Sequence, residues 1–292
     1  FEALRRRLES GAAFLPDLPE ETPDATARAL WLLAAGEPVS AHGASGRELP
    51  ALSAEQRARL EQLVERRLRG VPLAHLTQRQ KFLGLEMLCS ADALVPRKET
   101  ELLARAAIEH AGAAIAERGR CLVVDVCTGG GNVALAIAHR APAARVHGAD
   151  LSEPAVALAK RNARQLELEG RVEFRAGDLL EPFRTAEFLG QVDVLTCNPP
   201  YISSGKVASL PAQISSHEPR LAFDGGPFGI GILVRLLSAA PEFVRPGGCL
   251  VFEVGHGQGP AITKRMQANP VFRDVVPLRD ASGAVRAFSV RL

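Results

Sequence analysis

Arg120-Cys121-Leu122-Val123-Val124-Asp125-Val126-Cys127-Thr128-Gly129-Gly130-Gly131-Asn132 is the stretch on which the fold turns. Leu122 to Val126 is short, apolar and rich in β-branched residues, which makes it a strand candidate. Asp125 to Gly131 then reads as a turn, and Asn132 to His139 resumes apolar residues at helical spacing. Glycines at such a point let the backbone turn tightly and approach a ligand closely, because no Cβ intervenes. Taken alone, three glycines are also readable as a plain strand-to-helix connection. A dinucleotide site is a further reading, although the G-x-G-x-x-G spacing it uses is absent.

Outward from this stretch the same alternation repeats. Arg145 to Ala149, Val172 to Phe174, Val192 to Cys197, Cys249 to Val254 and two segments near the C-terminus are further strand candidates. Pro154 to Leu168 and Ile232 to Phe243 are helical patterns between them. Strand–helix alternation implies a mainly parallel sheet covered on both faces. Such sheets bind ligands at the carboxyl ends of their strands, so residues placed there carry the most weight.

Asp150 ends the second strand candidate, 19 positions beyond Gly131. A carboxylate at this offset is placed to accept hydrogen bonds from both hydroxyls of a ribose. Its competing role, capping the next helix, is available to Ser152. Asp178 follows the third candidate and is placed either to meet an adenine amino group or simply to make a turn. Three strand ends in order point to a nucleoside-type cofactor without naming it.

Val192 to Cys197 runs directly into Asn198-Pro199-Pro200-Tyr201, the sharpest local signal in the chain. Each proline fixes φ and lacks an N–H, so the segment is stiff and offers carbonyl acceptors without competing donors. The proline after Asn198 biases that residue toward an extended conformation. An Asn side-chain oxygen and a neighbouring carbonyl accept both hydrogens of one NH2 group, and Tyr201 packs on the flat face of the group so held. This suits a planar amide or amine nitrogen, whose reacting form is already neutral, and positioning then supplies much of the rate. A rigid loop after a strand is the alternative reading.

The 292 residues suffice for one large domain and a small one. An apolar content of 47% with 23% charged residues fits a globular protein. Lys plus Arg number 35 against 33 for Asp plus Glu, which gives no electrostatic case for wrapping nucleic acid. Cys89, Cys121, Cys127, Cys197 and Cys249 are odd in number, widely spaced and without a C-x-x-C pair. Neither a disulfide framework nor a metal site is expected, and a reducing cytoplasm fits best. No signal peptide or membrane-spanning apolar run is expected either.

Ahead of the alternating region, residues 1–75 read as a small helical bundle, with helical spacing at Ala25 to Ala35 and Ala54 to Arg69. Gly36 to Pro38 and Gly43 to Pro50 are loop-like. Residues 76–95 form a hairpin or linker from the apolar runs Phe82 to Leu88 and Ala93 to Val95. Residues 96–292 form the catalytic domain, with a helical pattern from Glu99 to Glu109.

Together these residues resemble the HemK family of protein glutamine methyltransferases from about Gly70 to Leu292. The matching pieces are Val95 to Glu101, Asp125 to Gly131, Asp150, the Asn198 to Tyr201 tetrad, His217-Glu218-Pro219 and Phe252 to Gly255. The resemblance implies an α/β fold, the class I methyltransferase Rossmann-like, mainly parallel sheet, with a small N-terminal helical domain that binds substrate. It implies S-adenosyl-L-methionine as cofactor, with S-adenosyl-L-homocysteine as product. Cys127, Thr128, Gly129, Gly130 and Gly131 would hold its methionine part, Asp150 its ribose, and Asp178 and Leu179 would border its adenine, with Asn198 at the methyl end. Asn198 and the Pro199 carbonyl would hold the glutamine amide, with Tyr201 flanking it and Pro200 also on the substrate side, and Pro96 to Glu101 would close over the cofactor. The release-factor branch usually has Gly where Cys127 stands, and the ribosomal-protein branch typically has Cys. The Pro96 to Glu101 run, Gly255 to Gly259 and Arg279-Asp280-Ala281-Ser282-Gly283 favour the release-factor branch. A peptide chain release factor is therefore the expected partner. A ribosomal protein, a nucleic-acid base, and an inactive nucleotide-binding module are the alternatives.

Overall fold

Local capping explains why the first part of the chain is helical. In the computed structural model, which describes residues 1–292 apart from the side chain of Ala212, α1 spans Glu2–Gly11 and α2 spans Pro23–Ala35. The Thr22 hydroxyl accepts from the Ala25 N–H, proline occupies the first turn, and Gly36 ends the helix in the left-handed region. Ser40 caps the short α3, Ala41–Ala44. Ser53 and Gln56 form a reciprocal capping box at the start of α4, Ala54–Leu68. A fifth helix, α5, covers Leu73–Thr77.

One apolar cluster holds these helices, built from Leu8, Leu30, Leu33, Leu60, Val64 and Leu73 among others. Next in the chain is an antiparallel hairpin, β1 (Arg79–Phe82) with β2 (Leu85–Leu88), paired from Arg79↔Leu88 to Phe82↔Leu85. The turn and second strand thus lie inside the run Phe82 to Leu88 expected to be one arm, and the other arm is supplied by Arg79–Phe82 ahead of it rather than by Ala93 to Val95. Leu83 and Gly84, both at positive φ, make the turn, and Ala93 to Val95 is not a strand. By contacts between residues, Phe1–Lys98 and Leu210–Pro219 form one compact unit, and Glu99–Ser209 with Arg220–Leu292 form the other.

In the larger unit, α6 runs over Thr100–Arg118, well past Glu109, because an Ala-rich sequence continues until Gly119 turns left-handed. Beyond it lie β3 (Cys121–Val126), α7 (Asn132–Arg140), β4 (Ala144–Asp150), α8 (Glu153–Gln165), β5 (Val172–Ala176) and β6 (Val192–Cys197). After the short α9 (Ser204–Val207), and α10 (Ala212–Ser215) in the smaller unit, come α11 (Gly231–Phe243), β7 (Val244–Glu253), α12 (Gly259–Gln267), β8 (Arg273–Arg279) and β9 (Val285–Arg291). Helix α8 stops before Leu168, and Glu167 takes a left-handed φ of 58° just beyond it.

The seven strands are ordered β5-β4-β3-β6-β7-β9-β8. Pairings from β5 through β7 are parallel, and β9 runs antiparallel to both of its neighbours. The chain leaves β3 toward β4 on one side and returns to β6 on the other. The crevice at the carboxyl ends of β3 and β6 is therefore the switch point where ligands bind in such sheets. Val124, Val126, Leu195, Leu233, Leu237, Phe252 and Phe288 are among the residues of the core beneath it.

Candidate functional site

Four strand ends meet around the switch point, and each places one element of the site. At the end of β3, Asp125 is fully buried. Its two oxygens accept from the hydroxyls of Thr128 at 2.6 Å and Thr196 at 2.7 Å. Burial pushes its carboxyl up to about 6, while the two hydroxyls pull the other way. Asp125 thus ties the glycine-rich loop to β6.

The loop itself is tightly determined. Cys127 sits at φ 56°, Gly129 at 55° and Gly131 at 85°. The left-handed backbone at 127 is where glycine fits freely, and Cys127 tolerates it at about 1 kcal/mol. A Cβ on Gly131 would stand 2.9 Å from the Phe174 ring and 3.1 Å from the Ala159 Cβ, so only glycine fits. The Asn162 amide donates to the Gly130 carbonyl at 2.9 Å. At Gly129, by contrast, nothing lies within 4 Å of where a Cβ would stand, leaving open space before the loop. Open space beside a glycine-rich loop at a helix N-terminus fits a nucleoside cofactor.

At the end of β4, Asp150 accepts from the Gly129 N–H at 2.8 Å and from the Ser152 N–H at 2.9 Å. Ser152 in turn caps α8 through Ala155, so the two tasks fall to separate residues. Burial holds the Asp150 carboxyl above the ordinary aspartate range, against the backbone donors that favour its charge. After β5, Asp178 lies half-exposed and ion-paired with Arg235 at 2.6 Å. Leu179 beside it is buried and left-handed at φ 48°. Thr128 is buried within the loop.

The tetrad leaves the end of β6. The Asn198 side-chain N–H donates to the Thr100 hydroxyl at 3.1 Å, and Thr100 donates to Glu253 at 2.8 Å. The Tyr201 hydroxyl lies 3.1 Å from the other oxygen of Glu253 and 3.4 Å from Glu99. Glu99 in turn pairs with Arg286 at 2.5 Å. Burial raises the Glu253 carboxyl to about 7, with the Glu99 charge adding to the effect, and burial also lifts the Tyr201 hydroxyl above its ordinary range.

Backbone contacts fix the tetrad's path. Gln258 donates to the carbonyls of Tyr201 at 3.0 Å and Gly229 at 3.1 Å, and accepts from the Gly255 N–H at 2.8 Å. A Cβ on Gly225 would come within 2.5 Å of the Pro200 carbonyl, and one on Gly229 within 2.3 Å of the Tyr201 carbonyl. These glycines are required by close backbone approach.

The sequence marked Asn198 to Tyr201 and Asp150, but it did not single out Thr100, Glu253, Gln258 or Arg286 as neighbours of the tetrad. Thr100, Glu253 and Gln258 did lie inside motifs, which was the only available signal. In the smaller unit, Arg97 is buried and paired with Glu218 at 2.5 Å and with Asp17 at 3.0 Å. Glu218 also accepts from the Val95 N–H at 2.9 Å. The His217 to Pro219 motif therefore contributes a strut for the smaller unit.

A sheet of this order, with a glycine-rich loop after its first strand, an acidic end to its second and Asn-Pro-Pro-Tyr after its fourth, defines a class I methyltransferase. Family models match accordingly: the PrmC N-terminal domain over residues 7–77 and a methyltransferase domain over residues 123–215. The chain is 38% identical to a release factor glutamine methyltransferase of Moorella thermoacetica over 79% of its length and 78% of the relative's. It is 34% identical to one of Bradyrhizobium diazoefficiens over 99% of its length and 94% of the relative's. The chain belongs to the release factor glutamine methyltransferase family. The hMettl16 catalytic domain in complex with MAT2A 3'UTR hairpin 6 shares the fold at a TM-score of 0.52 and 14% identity, covering 71% of this chain and 76% of that one.

Proposed function

We propose that this chain methylates the side-chain amide nitrogen of a glutamine in a peptide chain release factor, using S-adenosyl-L-methionine. The observation that carries the reading is the anchored Asn198 at the switch point. Its N–H is bound to Thr100, which leaves its carbonyl oxygen to accept from a substrate amide.

Cys127 to Gly131 would hold the methionine part of the cofactor, Asp150 its ribose, and Asp178 and Leu179 its adenine edge. When bound, the cofactor supplies a methyl group made electrophilic by its sulfonium sulfur. Asn198 Oδ1 and the Pro199 carbonyl each accept one hydrogen of the glutamine NH2. Those two bonds push electron density onto the nitrogen and fix the direction of its lone pair. Pro200 and Tyr201 keep the amide plane in place and exclude water. The net change replaces one N–H by N–CH3, and the proton leaves to solvent after the bond has formed, so no strong base is needed. The helical residues 1–75 would receive the protein substrate and residues 96–292 would carry out the transfer, with 76–95 linking them.

Incubation with labelled cofactor and separately purified release factors, ribosomal proteins and DNA tests this. Label on a release-factor glutamine is the expected result. Label on a ribosomal protein or on DNA, with release factors unlabelled, overturns the substrate assignment.

A further inference from the structure

Asparagine presents an oxygen and an NH2 of nearly the same shape, so sterics alone do not decide which of them faces the substrate. Only the polarity of its partners decides. Here the partner is Thr100, which is itself bound to Glu253, and both are buried.

A hydroxyl carries one proton. A carboxylate only accepts, so an ionised Glu253 claims the Thr100 proton at 2.8 Å. The Thr100 oxygen is then an acceptor toward Asn198, and the Asn198 NH2 must turn to meet it at 3.1 Å. That leaves Oδ1 on the opposite side. With Glu253 protonated, the chain can run in reverse. Its carboxyl proton goes to Thr100, the Thr100 proton goes to Asn198, and the Asn198 oxygen turns inward. The NH2 then faces the NH2 of the substrate, donor against donor, and no bond forms.

We propose that Glu253 is a positioning residue whose carboxylate sets the direction of the Glu253–Thr100–Asn198 chain and so turns the Asn198 oxygen toward the glutamine amide. The inference rests on the proposed role of Asn198 as acceptor for that amide. The second oxygen of Glu253 reinforces the direction, since the Tyr201 hydroxyl at 3.1 Å donates to it. The groups facing Glu253 are Glu99 and Thr100 at the start of α6, Tyr201 after β6, and Arg286 on β9. Of the remaining charges on packed elements, Asp193 of β6 is bound to Arg118 and Arg245, and Arg235 of α11 to Asp178. Burial and Glu99 place the Glu253 transition at about 7, so the direction of the chain changes within the working range of a cell.

The test is the pH dependence of kcat between about pH 5.5 and 9, with release factor as substrate, for wild type, Glu253→Gln, Thr100→Val and Thr100→Ser. Wild-type kcat should fall about tenfold per pH unit below a midpoint near 7. Glu253→Gln keeps an acceptor oxygen for Thr100 at every pH, and its NH2 faces Tyr201, whose proton is then free to go to Glu99. Its plateau should drop severalfold and the acid limb should vanish. Thr100→Val should lose at least about tenfold in kcat, with cofactor affinity held and no acid limb, and Thr100→Ser should recover most of the loss. An acid limb that persists in Glu253→Gln, or a Thr100→Val variant within twofold of wild type throughout, overturns the proposal while leaving the role of Asn198 standing. Wild-type turnover by Asn198→Ala removes that role, and the proposal with it.

Discussion

Replacing Asp150 by Ala separates the cofactor reading from general stability more cleanly than any other single change. The carboxylate anchors two N–H groups, those of Gly129 at 2.8 Å and Ser152 at 2.9 Å. The ribose reading asks each oxygen to accept a ribose hydroxyl as well. A hydrogen bond to an ionised acceptor is worth about 1.5–3 kcal/mol. Two lost ribose bonds at the lower figure come to about 3 kcal/mol, or roughly 100-fold in affinity. The helix downstream should survive, because Ser152 and not Asp150 caps it. Asp150→Asn keeps the size but sets an NH2 against one of the backbone donors, and roughly tenfold is expected. Burial holds this carboxyl above the usual aspartate range. Cofactor affinity should therefore begin to weaken, on acidification, at a higher pH than an exposed aspartate would give. Calorimetry with S-adenosyl-L-methionine at fixed pH, beside urea unfolding and circular dichroism, makes the measurement. A folded Asp150→Ala variant that binds within threefold of wild type would refute the ribose assignment.

Gly131→Ala should cost roughly 2–5 kcal/mol of stability, from the left-handed backbone and the crowding against Phe174 and Ala159; a loss under about 1 kcal/mol in urea unfolding contradicts the packing described. In the smaller unit, buried Arg67 lies 2.7 Å from the Ala13 carbonyl and 3.3 Å from Glu21, whose carboxyl burial pushes up to about 7. Arg67→Ala should destabilise by about 3–5 kcal/mol while sparing cofactor affinity, and the Arg67→Met, Glu21→Leu pair should regain most of it; an additive double variant counts against a coupled pair. Glu253 is raised from 4.5 to about 7 by burial, so the folded state holds its proton more tightly than the unfolded chain. Its contribution is present below about pH 4.5 and is lost as pH climbs to about 7, up to roughly 3 kcal/mol. Glu253→Gln should flatten that part of the stability profile, and an identical profile in the variant excludes Glu253 as its source.

Much of this protein is legible in local order along the chain. Val192 to Cys197 reads as a buried strand because Val192, Val194, Leu195 and Cys197 put apolar residues on both faces, and the prolines of the tetrad stiffen the backbone there whatever surrounds them. Likewise, the strand–helix alternation from Cys121 onward points to a mainly parallel sheet, and such sheets bind ligands at the carboxyl ends of their strands. Hairpin register was harder, since Leu83-Gly84 folds a run that reads as one continuous strand, and positive φ is written only weakly in a leucine. Polarity was not legible at all. That Asn198 presents its oxygen depends on Thr100, 98 residues earlier, and Glu253, 55 residues later. Period and propensity are properties of neighbours in sequence, so the sequence alone sets the strands, the turn glycines and the rigid tetrad. The direction of a buried hydrogen-bond chain and the raised carboxyl that governs it depend on burial and on partners brought together from distant segments, and only the tertiary structure supplies those.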